Sequence, residues 1–101
     1  MPKLRLSEAA RDDLRDVRTY SKAVWGVRLT RDYIDGFRQS FARLRANAGT
    51  GIAEPDLGDD MRSLGYRSHR IYYRVASSSD TIEIVRVLHH AQSTEGRLGP
   101  Q

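Results

Sequence analysis

The chain contains no cysteine. That excludes a disulfide framework and thiolate metal ligation, and it suits a reducing compartment. A long apolar run is also missing. The N-terminal stretch MPKLRLSEAARDD carries charge at almost every second position, so it offers no signal-peptide core, and no later stretch approaches the length of a membrane span. The expectation is a soluble, cytoplasmic protein with no membrane association. There is no internal repeat and no low-complexity tract. A chain of 101 residues, 39% hydrophobic and 30% charged, is too apolar for outright disorder. It has room for one domain that buries roughly 60 to 70% of its unfolded surface.

What is present in quantity is charge, unevenly spread. A net charge of +4 suits a nucleic acid, an acidic protein or merely a soluble surface. Between residues 62 and 97, Arg62, Arg67, Arg70, Arg74, Arg86 and Arg97 are set against only Asp80, Glu83 and Glu95, before His69, His89 and His90 are counted. The segment 54 to 60 reverses the balance, with Glu54, Asp56, Asp59 and Asp60 and no base.

Hydrophobic spacing gives the element order. Leu4 and Leu6 alternate with Lys3 and Arg5 as in a short strand, and Ser7 is placed to cap a following helix. Ala10, Leu14, Val17, Ser21 and Val24 recur at steps of three and four and line one helical face, which ends near Trp25-Gly26. A second stripe, Leu29, Tyr33, Ile34, Phe37, Phe41 and Leu44, follows almost at once, with Arg28/Asp32 and Arg31/Asp35 as outward i,i+4 pairs. So short a connection predicts an antiparallel helical hairpin. Gly36 weakens the second helix and permits a close approach. Residues 49 to 60 show no periodicity and read as one long loop, after which MRSLGY, HRIYYRVA and TIEIVRVL read as strands.

The strand register follows from the gap between the last two runs. Pairing Ala76 with Thr81 closes a four-residue loop, Ser77 to Asp80, and sets Tyr73 opposite Ile84 and Val75 opposite Ile82 on the helix-facing side. On the other face Arg74 meets Glu83 and Tyr72 meets Val85, beside Arg70, Val87 and His89. Arg86 breaks the pattern, since its parity puts it on the helix side, and either a snorkelling side chain or a bulge accounts for it.

No conventional chemistry assembles from these residues. Gly49-Thr50-Gly51 lacks the preceding strand and third glycine of a dinucleotide loop. The acids of 54 to 60 match no EF-hand spacing. His89 and His90, as strand neighbours, point to opposite faces and leave only His69 as a further imidazole ligand, so neither a metal nor a cofactor is expected. One of those histidines could serve as an acid-base or contact group, because its pKa lies near working pH. No Ser/His/Asp triad or carboxylate pair can be placed. The arginine, tyrosine and histidine face suggests binding instead: arginine takes phosphate or carboxylate in bidentate fashion, and tyrosine stacks or packs at interfaces.

Taken in order, Trp25-Gly26, RDYIDGFRQSFARLRAN, MRSLGYRSHRIYYRV and DTIEIVRVLHH resemble the ParE branch of the ParE/RelE toxin superfamily over nearly the full length. The resemblance implies the toxin of a bacterial type II toxin-antitoxin module. It also implies an α+β fold of order β-α-α-β-β-β, the order reached above from periodicity, with an N-terminal strand and an antiparallel helical hairpin on a small, mainly antiparallel sheet. ParE-like toxins poison DNA gyrase and RelE-like relatives cleave mRNA on the ribosome. By that resemblance Arg70 falls where RelE-like enzymes place a phosphate-contacting arginine, and Arg62 lies near one of their basic catalytic positions. Ala91, however, stands where both branches usually carry an arginine, and HHAQSTEGRL departs from the usual tail.

The resulting expectation is one domain over 1–101, with a helical hairpin at about 7–48, a loop at 49–60, a sheet at 61–90 and a tail at 91–101. Its function would be gyrase inhibition by binding, with Arg62, Arg70, Tyr72, Arg74, His89 and His90 as target contacts, a tail to Leu98 shaping that surface, and no catalytic residue. A ParD-like antitoxin, small and acidic, would dock on Leu14, Val17, Tyr33, Phe37, Arg70 and Arg74. The alternatives are a ribosome-dependent mRNA endonuclease using Arg62, Arg70, His89 and His90, and a toxin-fold protein that has lost activity but still binds antitoxin.

Overall fold

The computed structural model describes residues 2–75 and 80–92. Strand β1 (Lys3–Leu6) leads into helices α1 (Glu8–Trp25) and α2 (Val27–Ala46), a 3-10 turn (Ala48–Thr50), and strands β2 (Ile52–Ala53), β3 (Met61–Tyr66), β4 (His69–Val75) and β5 (Thr81–His89). The five strands form one mixed sheet in the order β1-β5-β4-β3-β2, with β1 parallel to β5 and every other pair antiparallel. Both helices pack on this sheet, and no helix among the described residues is long and apolar enough to cross a membrane.

Local chemistry sets the helix limits. Ser7 Oγ accepts from the Ala10 N–H at 2.9 Å, capping α1, and donates to the Val85 carbonyl at 2.7 Å, so the cap also ties the helix to β5. Gly26, at φ +88°, ends α1 and starts α2 within one residue, a backbone that side-chain-bearing residues rarely adopt. The two apolar stripes meet Ile71, Tyr73, Ile82, Ile84 and Val87 of the sheet, with Ala10, Ile34, Phe37 and Leu44 at the centre.

The stripes outrun the core. Val24 is 51% and Leu29 54% exposed, because the stripe continues toward the Gly26 bend beyond the part of the sheet that buries it. The expected Arg28/Asp32 and Arg31/Asp35 pairs do not form; α2 carries instead Arg38 with Asp35 at 3.3 Å. The stretch expected to be a plain loop contains the 3-10 turn and the two-residue strand β2, too short to leave a period in the sequence. Gly36 does allow a close approach. A Cβ there would fall on the Tyr66 hydroxyl, which donates to the Tyr33 carbonyl at 2.8 Å.

The β4–β5 register pairs Tyr73 with Ile84, Arg74 with Glu83 and Val75 with Ile82, as expected, while the turn residues Ala76 to Ser79 lie outside the described ones. Tyr72 pairs with Arg86 rather than Val85, because the register shifts between Tyr72 and Tyr73. This bulge resolves the parity of Arg86. It places Val87 in the core, and Arg86 reaches Asp13 of α1 through Nε–Oδ2 and Nη2–Oδ1 hydrogen bonds, each 2.7 Å. Strand β1 pairs only as far as Ile84, and just beyond it Asp13 also accepts the Val87 N–H at 2.9 Å. A helix carboxylate thus closes part of a sheet edge that no strand covers.

Candidate interaction surface

The β3–β4 register decides which expected contact residues share a face. Arg62 pairs with Tyr73 and Leu64 with Ile71, so Arg62 belongs to the helix-facing side, where its Nη2 donates to the carbonyls of Gly51 at 2.6 Å and Gly49 at 3.3 Å. It pins the 3-10 turn. Arg70, Tyr72 and Arg74 occupy the opposite side. The six residues expected to form one contact set are therefore divided by the sheet.

Each outer arginine is already oriented by a neighbour. Arg70 Nη1 donates to Ser63 Oγ at 3.1 Å, and that hydroxyl donates to Glu54 at 2.6 Å. Arg74 Nε lies 3.5 Å from Glu83, which Arg5 also pairs with at 2.9 Å. Burial, followed by the Glu54 charge, raises the Tyr72 pKa, so its hydroxyl stays protonated. The face is less electropositive than its arginines alone suggest, and it is held in a fixed geometry.

The histidines gather at the other end of the sheet. His69 and His89 are paired across β4 and β5, with ring centroids 5.3 Å apart. His90 lies just beyond the strand end, so its ring is not confined to the opposite face as expected; it packs on His89 at 4.2 Å. His90 N–H donates to the Ser68 carbonyl at 2.9 Å, and Ala91 N–H to His89 Nδ1 at 3.1 Å. The tail beyond Gln92 lies outside the described residues. His69 Nδ1 is 2.8 Å from the Tyr33 hydroxyl. Burial, assisted by the charges of His89 and His90 and opposed by Asp13, pushes the His69 pKa down to about 4. Its imidazole is neutral at pH 7, and with the proton on Nε2 it accepts from the phenol.

Next to this cluster lies an open groove of about 880 Å³ between the helices and the β3–β4 turn. Val17, Tyr20, Trp25, Leu29 and Tyr33 supply its apolar lining. Tyr20 and Trp25 are 61% and 50% exposed, and their rings meet edge to face at 6.2 Å. Of the residues expected to meet an antitoxin, Val17 and Tyr33 line this groove, and Leu14 is half-buried against the core. Phe37 is 1% exposed and packed beneath Tyr33 and Tyr66, so it supports the surface without belonging to it. Sequence reasoning missed Tyr20, Asp16, Asp32 and Arg67 as groove residues. Charged and aromatic residues off the core stripe of a helix, and a residue in a turn such as Arg67, carry no mark of which flank borders a cavity.

A family model and a curated relative point to one family. A family model described as the ParE toxin of the type II toxin-antitoxin system parDE matches residues 4–94. Toxin ParE1 of Caulobacter vibrioides is 33% identical over 99 residues, covering 98% of this chain and all of that protein. Among solved structures, the chromosomal ParDE system from P. aeruginosa superposes with a TM-score of 0.74 at 19% identity, over 88% of this chain and 96% of the other. The isolated RelE toxin of E. coli superposes with a TM-score of 0.63 at 12% identity, over 92% and 88%. At such identities the two structures speak for the fold alone.

Proposed function

The chain belongs to the ParE toxin family of type II toxin-antitoxin systems, and we propose that it arrests growth by binding DNA gyrase and is neutralised by a ParD-type antitoxin. The observation that favours binding over RNA cleavage is the separation of Arg62 from Arg70. A nuclease of the alternative kind would bring both guanidinium groups to one scissile phosphate, with His89 or His90 moving a proton. Here Arg62 is engaged with the Gly49 and Gly51 carbonyls on the helix-facing side, and Arg70 lies on the outer side. Ala91 supplies no further cation. A binding toxin needs surface rather than convergent catalytic groups, and Arg70, Tyr72, Arg74, His89 and His90 remain the residues assigned to target contact.

The antitoxin is assigned first to the groove, where Val17 and Tyr33 give apolar area beside the half-buried Leu14, and then to the outer sheet face, where Arg70 and Arg74 orient an acidic segment that continues around the sheet. The test adds purified toxin to gyrase and follows supercoiling and cleavage-complex formation. Loss of supercoiling with trapped cleavage complexes, both relieved by antitoxin, is the expected result. Unchanged gyrase activity refutes the reading, and A-site mRNA cleavage in a translation mixture, lost on Arg70→Ala, replaces it with the nuclease.

A further inference from the structure

Strands β3 and β4 are joined by the two-residue loop Arg67-Ser68, closed by the Tyr66–His69 pair. Arg67 takes φ +52° and is the one non-glycine residue with positive φ among the described residues. Two-residue hairpin loops with a positive φ at the first position usually place glycine, asparagine or aspartate there, because a longer side chain's Cβ crowds the following carbonyl with no local hydrogen bond to offset it. The chain has a glycine two residues earlier, at Gly65, yet holds an arginine in the strained position. Strain of this kind concentrates at binding and switch sites.

The guanidinium itself is positioned but not paired. Its carbon lies 5.9 Å from the Tyr33 ring centroid and 5.8 Å from that of Tyr66. Such contacts hold the cation beside the two rings and leave its N–H groups available to a partner. No carboxylate among the described residues forms an ion pair with it. Arg67 stands between two concavities. One is the apolar groove, and the other is a hollow of about 350 Å³ lined by Arg70, Tyr72, His89 and His90 with no acid in its wall.

We propose that Arg67 is a partner-recognition residue, kept in a strained turn so that its guanidinium clamps a carboxylate side chain on the antitoxin segment that occupies the groove. This rests on the antitoxin reading above. The far wall argues for a protein carboxylate over a nucleic-acid phosphate. Asp16 and Asp32 line the same groove, neither forms an ion pair among the described residues, and both would repel a polyanion. A sugar-phosphate chain also gains nothing from Val17 and Leu29. A peptide segment with an apolar stripe, an acid beside Arg67 and a base opposite Asp16 and Asp32 satisfies both walls.

The experiment measures binding of the antitoxin from the neighbouring reading frame by calorimetry, and thermal melting of the free toxin, for wild type, Arg67→Gly and Arg67→Lys. Glycine relieves the strain, so Arg67→Gly should melt at or above the wild-type temperature while binding antitoxin roughly 30-fold more weakly. Lysine keeps the charge without the planar fork and should fall between. Unchanged affinity in Arg67→Gly overturns the proposal. So does a fall in melting temperature of more than a few degrees, which would make Arg67 a structural staple. A single-stranded RNA probe that binds wild type but not Arg67→Gly, with antitoxin affinity intact, also overturns it by assigning the site to nucleic acid. If the wild-type chain binds no antitoxin, both readings fall together, whereas equal binding by wild type and Arg67→Gly removes only this one.

Discussion

The Asp13 carboxylate accepts three hydrogen bonds from consecutive residues of β5, two at 2.7 Å from the Arg86 guanidinium and one at 2.9 Å from the Val87 N–H. With side-chain exposures of 10% for Asp13 and 18% for Arg86, the pair is shielded enough that removing one partner strands a charge. Asp13→Ala should destabilise the fold by about 3 kcal/mol in urea unfolding. The double variant Asp13→Ala/Arg86→Met should lose less than the single one, since no charge is then left unpaired. A double variant as unstable as the single would place the cost in the Val87 N–H instead.

Gly36 and Tyr66 make a second long-range contact. Alanine in a helix interior is normally worth about 1 kcal/mol over glycine, but here its Cβ would meet the Tyr66 hydroxyl. Gly36→Ala should therefore destabilise by about 1–3 kcal/mol. Pairing it with Tyr66→Phe should recover part of the loss. A stabilised Gly36→Ala single variant would show that the tyrosine moves aside freely.

Tyr73 is fully buried, and its hydroxyl donates to the Ala48 carbonyl at 2.7 Å and accepts the Gly51 N–H at 3.0 Å. Removing that oxygen leaves the Ala48 carbonyl of the 3-10 turn and the Gly51 N–H at its end without this partner. Tyr73→Phe should cost about 1–3 kcal/mol, with faster amide exchange at Gly51 read by NMR. Unchanged exchange at Gly51 would mean that the turn is held by Arg62 alone.

His69 makes stability depend on pH. The unfolded chain takes up this proton below about pH 6.5, and the folded chain, with the group pushed down by burial first and His89 and His90 second, only below about 4. Stability from this residue is therefore complete above pH 6.5 and lost as pH falls toward 4. The shift sets a ceiling of about 3 kcal/mol, and partial exposure reduces the expected loss to about 1–2 kcal/mol. Urea unfolding at pH 7 and pH 4.5 measures it, and His69→Gln should flatten the difference. An equal slope in that variant would transfer the effect to other groups.

The sequence by itself determined the parts that depend on near neighbours. Apolar spacing and the Ser7 and Gly26 boundaries mark both helices, and alternation with a short polar gap sets Tyr73 against Ile84 and Val75 against Ile82. Only the tertiary structure decided the rest. In TIEIVRVL the parity of Arg86 marks an irregularity but leaves a snorkelling side chain and a bulge both open, because the residue that decides between them, Asp13, is separated from Arg86 by 73 residues of chain. Periodicity marks Val24, Leu29 and Phe37 as one kind of residue, yet the sheet buries Phe37 and leaves the other two exposed, since a stripe records its direction and not the extent of its partner. The division of Arg62 from Arg70 depends on the β3–β4 register, and that register turns at Arg67, where the backbone takes a conformation its side chain disfavours. Local preference argues against that turn. Packing of the flanking Tyr66 and His69 on Tyr33, contributed by a distant part of the chain, sets it.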